Sequence, residues 1–258
     1  MDNRPIGIFD SGLGGLTVLR EIIREVPDEN IIFFGDTARF PYGPKKLNEV
    51  KKFALSIADF LFRLDVKLLV VACNTATASA LEDIRRKFDI PVIGVIEPGA
   101  RTAANTTISG RVGVIATRGT VESKAYDFAI KNMDSKIQLF SMAAPLLVEY
   151  VEDGILEGDL LSKAICSYLK PLFKENIDVL ILGCTHFPLI ENKIKGCCGP
   201  QIRVINSAIE TSKDIKNEGN LKPQRIFYET GNSSKFFSVG KMFLGEKIKE
   251  VIKIDLAL

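Results

Sequence analysis

The chain has 258 residues, 46% apolar and 26% charged, which suits one large or two small globular domains. Its 34 basic and 32 acidic residues are well mixed and leave a net charge of +2, arguing against nucleic acid or an acidic membrane as main partner. A single histidine, five cysteines (73, 166, 184, 197, 198) with no paired framework, no leader peptide and no membrane-length apolar run predict a cytoplasmic protein without a structural zinc site.

Short apolar strands alternate with helical stretches, the pattern of βαβ units on mostly parallel sheets. Strands are expected at 5–10, 30–35, 67–72 and 92–96, then at 111–116, 136–140, 178–183 and 202–206. The second four echo the first. Ile6-Gly7-Ile8-Phe9-Asp10-Ser11 matches Val112-Gly113-Val114-Ile115-Ala116-Thr117 at an offset of 106, Ile31 matches Ile137 at the same offset, and Cys73 matches Cys184 at 111. Two similar α/β domains follow, one from residues 1–98 with 207–258 and one from 99–206, with crossings at Pro98-Gly99 and Asn206-Ser207. Beyond a polar connection at 216–223, a strand at 225–230 and a helix at 233–243 are expected to complete the first domain's sheet. Open parallel sheets bind ligands beyond the carboxyl ends of their strands, so two facing halves put those ends around one cleft.

Cys73 and Cys184 each end an apolar run, Leu68 to Ala72 and Val179 to Gly183, and each is followed by small polar groups. A buried free cysteine is an ordinary core residue, but two at matching strand exits read as an acid/base on each face of a substrate. Thiol acidity near 8.5 increases beside a helix N-terminus or a cationic histidine. His186 is the natural partner of Cys184, and Asp10 that of Cys73. The stretch Asp10-Ser11-Gly12-Leu13-Gly14-Gly15-Leu16-Thr17 could cradle an anion, with Asp36 as a ribose-binding acid, yet it lacks the third glycine of a dinucleotide site. By itself it reads as a tight turn packing helix on strand. Phe40-Pro41-Tyr42-Gly43-Pro44 is a rigid turn offering the Tyr42 hydroxyl and the Gly43 N–H to a carboxylate. Asn74, Thr75 and Thr185 are short polar groups suited to an amino acid, and Thr117 and Thr120 are placed to act likewise. Glu152 stands at an expected helix end, where a solvated role is the default. Cys197-Cys198 is expected in a loop and has no assigned role.

Taken together, Asp10 to Leu16, Pro41-Tyr42-Gly43, Ala72-Cys73-Asn74-Thr75-Ala76, Val95-Ile96-Glu97-Pro98-Gly99 and Gly183-Cys184-Thr185-His186-Phe187-Pro188-Leu189 resemble the glutamate racemases. The motifs run in that family's order over nearly the whole chain. The sequence departs from the pattern at Phe187, where tyrosine is more usual. The resemblance implies two facing α/β domains of aspartate/glutamate racemase type and a homodimer. It implies cofactor-independent racemisation of glutamate, with no metal, supplying D-glutamate for peptidoglycan. By the same resemblance Cys73 takes the proton from D-glutamate and Cys184 from L-glutamate, assisted by Asp10, Glu152 and His186. Ser11, Tyr42, Gly43, Asn74, Thr75 and Thr185 match substrate contacts, as do Asp10 and His186. Three alternatives stay open: racemisation of aspartate on the same fold, a nucleotide- or anion-binding protein built on the 10–17 loop, and a thiol-redox enzyme.

Overall fold

The computed structural model describes residues 2–216, 223–244, 248 and 250–256. The chain alternates strand and helix from the start: β1 (Ile6–Asp10), α1 (Leu16–Glu25), β2 (Ile31–Gly35), α2 (Leu47–Arg63), β3 (Leu68–Val71), α3 (Asn74–Lys87) and β4 (Val92–Gly94). Helix α4 (Ile96–Thr106) then carries it to a second set: β5 (Arg111–Ala116), α5 (Arg118–Glu122), α6 (Ala125–Met133), β6 (Gln138–Ala143), α7 (Pro145–Glu152), α8 (Asp159–Lys174) and β7 (Val179–Gly183). A 3₁₀ turn at Phe187–Ile190 leads into α9 (Glu191–Cys198), followed by β8 (Arg203–Asn206), α10 (Ser207–Ser212), β9 (Arg225–Glu229), α11 (Ser233–Leu244) and the short β10 (Ile252–Lys253).

Two all-parallel sheets result, ordered β10-β9-β2-β1-β3-β4 and β6-β5-β7-β8. The order 2-1-3-4 within the first recurs as 6-5-7-8 in the second, so the repeat seen in the sequence is a repeat of topology. Burial explains why the strands read as continuous apolar runs rather than alternating ones. In β1, Ile6 and Ile8 pack into a cluster with Leu19, Ile22 and Phe236, while Phe9 enters the opposite cluster with Phe34, Ile57 and Val71. The second sheet is sandwiched likewise, with Leu180 and Leu182 against α8 and Val179 and Ile181 against α4 and α6.

Several expectations need correction. The crossing at Pro98-Gly99 falls within helix α4, where proline is tolerated because in the first turn its missing N–H has no intrahelical partner. The sixth strand runs from 138 to 143 instead of 136–140, its register set by pairing of Arg111 with Gln138 through Ala116 with Ala143. Cys197 and Cys198 belong to helix α9, not to a loop. Cys166 and Cys197 are joined as a disulfide with Cα atoms 5.9 Å apart, so the cysteines are not all unpaired. Their separation of 31 residues carries no local signal; the pair forms because α8 and α9 pack together. The expected connection at 216–223 lies largely outside the described residues. The strand and helix after it are present as β9 and α11, and β9 pairs with β2.

Candidate active site

The site is assembled where strand order reverses. In the first sheet β1 and β3 are neighbours, and their carboxyl ends deliver Asp10-Ser11 and Cys73. In the second sheet the equivalent neighbours β5 and β7 deliver Thr117 and Cys184. Both thiols line one cavity of about 530 Å³, together with Ser11, Tyr42, Gly43, Asn74, Thr75, Thr117, Glu152, Thr185 and His186. Asp10 is fully buried behind this wall.

Cys73 caps helix α3, its Sγ accepting from the Ala76 N–H at 3.4 Å and lying 3.6 Å from Ser11 Oγ. The cap was expected to acidify this thiol. Burial instead pushes it up to about 12, and the Asp10 carboxylate adds to the rise against the pull of the two hydrogen bonds. Cys73 therefore rests as a thiol. Asp10 is itself raised by burial, opposed by the positive His186 and by the N–H groups of Gly15 and Gly12. Its Oδ2 accepts from Gly12 at 2.9 Å, while Oδ1 has no hydrogen-bond partner. The glycine loop thus spends its N–H groups on an internal carboxylate, which leaves little of the anion cradle that the loop could have offered.

On the other side, Cys184 Sγ lies 3.5 Å from His186 Nδ1, and His186 Nε2 lies 2.7 Å from Glu152 Oε1. Burial works against a charged imidazole, but the hydrogen bonds to Cys184 and Glu152 outweigh it and lift His186 from 6.5 to about 10. Both ring nitrogens of an imidazolium donate, so the ring serves the sulfur and the carboxylate at once. Glu152 is consequently a partner of His186 and not a solvated helix end. The stability that charged His186 contributes is complete below pH 6.5 and is lost as pH climbs through about 10. Urea unfolding of the parent and of His186→Asn should accordingly converge over that window; a gap that ignores pH would contradict a charged His186.

The polar side chains are partly engaged with one another across the cleft. Thr75 Oγ1 meets Thr117 Oγ1 at 2.9 Å and Thr120 Oγ1 at 3.3 Å, and the Gly119 N–H donates to the Gly43 carbonyl. Asn74 Nδ2 donates to the Tyr126 hydroxyl at 3.0 Å, and that hydroxyl also meets Ser207 Oγ. Thr17 Oγ1 donates to the Thr185 carbonyl at 2.8 Å. Tyr42 departs from expectation: it is buried, and its hydroxyl donates to Asp36 rather than facing the cavity. Asp36 also accepts from Arg39 and Thr230, so it is not free to hold a ribose. Arg118, Pro145, Val148 and Glu149 line the cavity too, and Tyr126 orients Asn74. Sequence reading passed over these five, since none belongs to a repeated motif.

The chain is similar to known proteins over nearly its whole length. The profile of the Asp/Glu/Hydantoin racemase family matches residues 6–211. A glutamate racemase of Geobacter metallireducens is 46% identical over 264 residues, spanning 98% of this chain and 97% of that protein. Among solved structures, a glutamate racemase isoform of Bacillus anthracis superposes with a TM-score of 0.94 at 42% identity, covering 99% of both chains. The Francisella tularensis glutamate racemase, solved in complex with D-glutamate, gives 0.91 at 37% identity, again covering 99% of both.

Proposed function

The chain belongs to the Asp/Glu/hydantoin racemase family, and from that premise we infer that it interconverts L- and D-glutamate by passing the Cα proton between two thiols. The observation that carries this reading is the single cavity into which both Cys73 and Cys184 open from equivalent strand ends. Inversion at carbon needs a proton removed from one face and another delivered to the opposite face, a task for two groups.

In the L-to-D direction Cys184, as thiolate, takes the Cα proton, and the thiol of Cys73 gives its own proton to the other face. The sulfurs exchange protonation states, and the reverse reaction restores them. The two surroundings favour this starting arrangement. Burial and Asp10 keep Cys73 protonated, while a charged His186 held by Glu152 donates to the sulfur of Cys184. The carbanion formed in between is poor, so its stabilisation has to come from donors to the substrate carboxylate in a cleft that excludes water. Ser11, Asn74, Thr75 and Thr185 are the side chains assigned to the substrate, with the Gly43 N–H. Tyr42 contributes through its place in the wall.

The same reading divides the chain into residues 1–98 with 207–258 and residues 99–206, opening for substrate about the crossings at α4 and Asn206-Ser207. It also carries a homodimeric, cytoplasmic enzyme that supplies D-glutamate for peptidoglycan. Among the described residues no helix is long and apolar enough to cross a membrane.

L-glutamate incubated with pure protein in D₂O, without added cofactor, tests reaction and substrate together. Optical rotation should vanish while deuterium enters Cα. Exchange of L-aspartate in preference to L-glutamate would overturn the substrate assignment, and no exchange of either would overturn the reaction.

A further inference from the structure

The mouth of the cavity carries a charge pattern that the chemistry at its floor does not use. Glu149 and Asp153 stand exposed there, on α7 and just past its end, and their carboxylates have no ion pair or hydrogen bond among the described residues. Glu152, between them, is already paired with His186. Arg118 lines the same cavity, exposed, and is the one lysine or arginine among the described residues that do so. Its guanidinium likewise makes no hydrogen bond, ion pair or ring contact among the described residues.

The root of Arg118 is nevertheless fixed. Its neighbours tie it across the cleft, Thr117 through its hydroxyl to Thr75 and Gly119 through its N–H to the Gly43 carbonyl. A pinned backbone with an unpaired head is what a charge waiting for a ligand needs. At neutral pH glutamate carries two carboxylates and one ammonium, so it approaches as an anion. Glu149 and Asp153 repel such a molecule. A low-dielectric cleft focuses field lines, so a single cation at its mouth is felt well beyond contact distance.

We propose that Arg118 draws the anionic substrate into the cleft, offsetting the repulsion of Glu149 and Asp153. This rests on glutamate being the substrate. It assigns to Arg118 substrate capture and no part in the proton transfers.

The test is the salt dependence of kcat/KM for L-glutamate in the parent, Arg118→Ala, Arg118→Lys and the double variant Glu149→Gln/Asp153→Asn. Arg118→Ala should lose about tenfold in kcat/KM at low ionic strength, and the loss should shrink to about twofold in 0.5 M salt. KM should carry the change, with kcat altered less than twofold. Arg118→Lys should keep most of the parent value, and the double variant should exceed it at low salt. An active parent with an unaltered Arg118→Ala overturns the proposal alone, as does a loss of equal size at both salt concentrations. A parent that exchanges no Cα hydrogen overturns the glutamate reading and this proposal with it.

Discussion

Replacing either Cys73 or Cys184 by alanine should lower kcat/KM for racemisation by at least about 10³-fold, within the range set by loss of a positioned acid/base group. Each variant keeps one thiol on one face and has nothing to return or remove a proton on the other. The two enantiomers have equal free energy, so kcat/KM must fall by the same factor in both directions, whichever sulfur is removed. The partial reactions separate the roles. Cys73→Ala retains Cys184 with His186 and Glu152 and should wash solvent deuterium into L-glutamate without inverting it. Cys184→Ala should do the same only with D-glutamate. Chiral chromatography and NMR of the Cα position after incubation in D₂O read both results. Racemisation by either variant within tenfold of the parent would end the two-thiol reading.

A second large loss is expected from Gly14→Ala, which adds one methyl group and touches no reacting atom. A Cβ built at Gly14 comes within 2.6 Å of His186 Cε1 and 2.8 Å of its Nδ1, and nearer still to Thr185 Oγ1. None of these neighbours yields easily. His186 is held between Cys184 and Glu152, and the Thr185 carbonyl takes the Thr17 hydroxyl. Either the loop of the first half or the Cys184-Thr185-His186 turn of the second must retreat by about an ångström, a displacement that costs on the order of 10²-fold in rate. The clash falls between the halves and not within either core, so the variant should fold. Circular dichroism and the thermal midpoint should stay close to the parent while kcat/KM drops about a hundredfold. Activity within threefold of the parent would show that the halves meet with slack at this point. Gly15 serves a different contact: a Cβ there would strike Asp10, which is why the loop needs glycine twice in succession.

The motifs of the site were legible because each is local. A β-branched run ending in a thiol and a short polar pair marks a strand exit in any buried parallel sheet, and two such runs at a nearly constant offset mark a repeat. The same periodicity located all eight principal strands, with the largest error at β6. There the edge position, not side-chain character, decides where pairing begins. β10 has two residues and no apolar pattern of its own, so it exists only as an addition to β9. Pro98-Gly99 marked the crossing between halves but not the helix that forms it, since proline is tolerated in the first turn of α4.

What the chain's linear order determined was the inventory and its delivery: which residues stand at strand ends, in what topology, and that two thiols occupy equivalent places. Only the tertiary structure decided their chemical states and partners. Cys73 carries its proton because burial removes it from water and the Asp10 carboxylate repels a thiolate, overriding a helix cap that points the other way. Tyr42 turns its hydroxyl to Asp36, Glu152 finds His186 across 34 residues, and Cys166 finds Cys197. The physical reason is one of range. Strand and helix patterning follows from neighbours a few positions apart, while desolvation and electrostatic coupling sum over atoms that folding brings together from the whole chain.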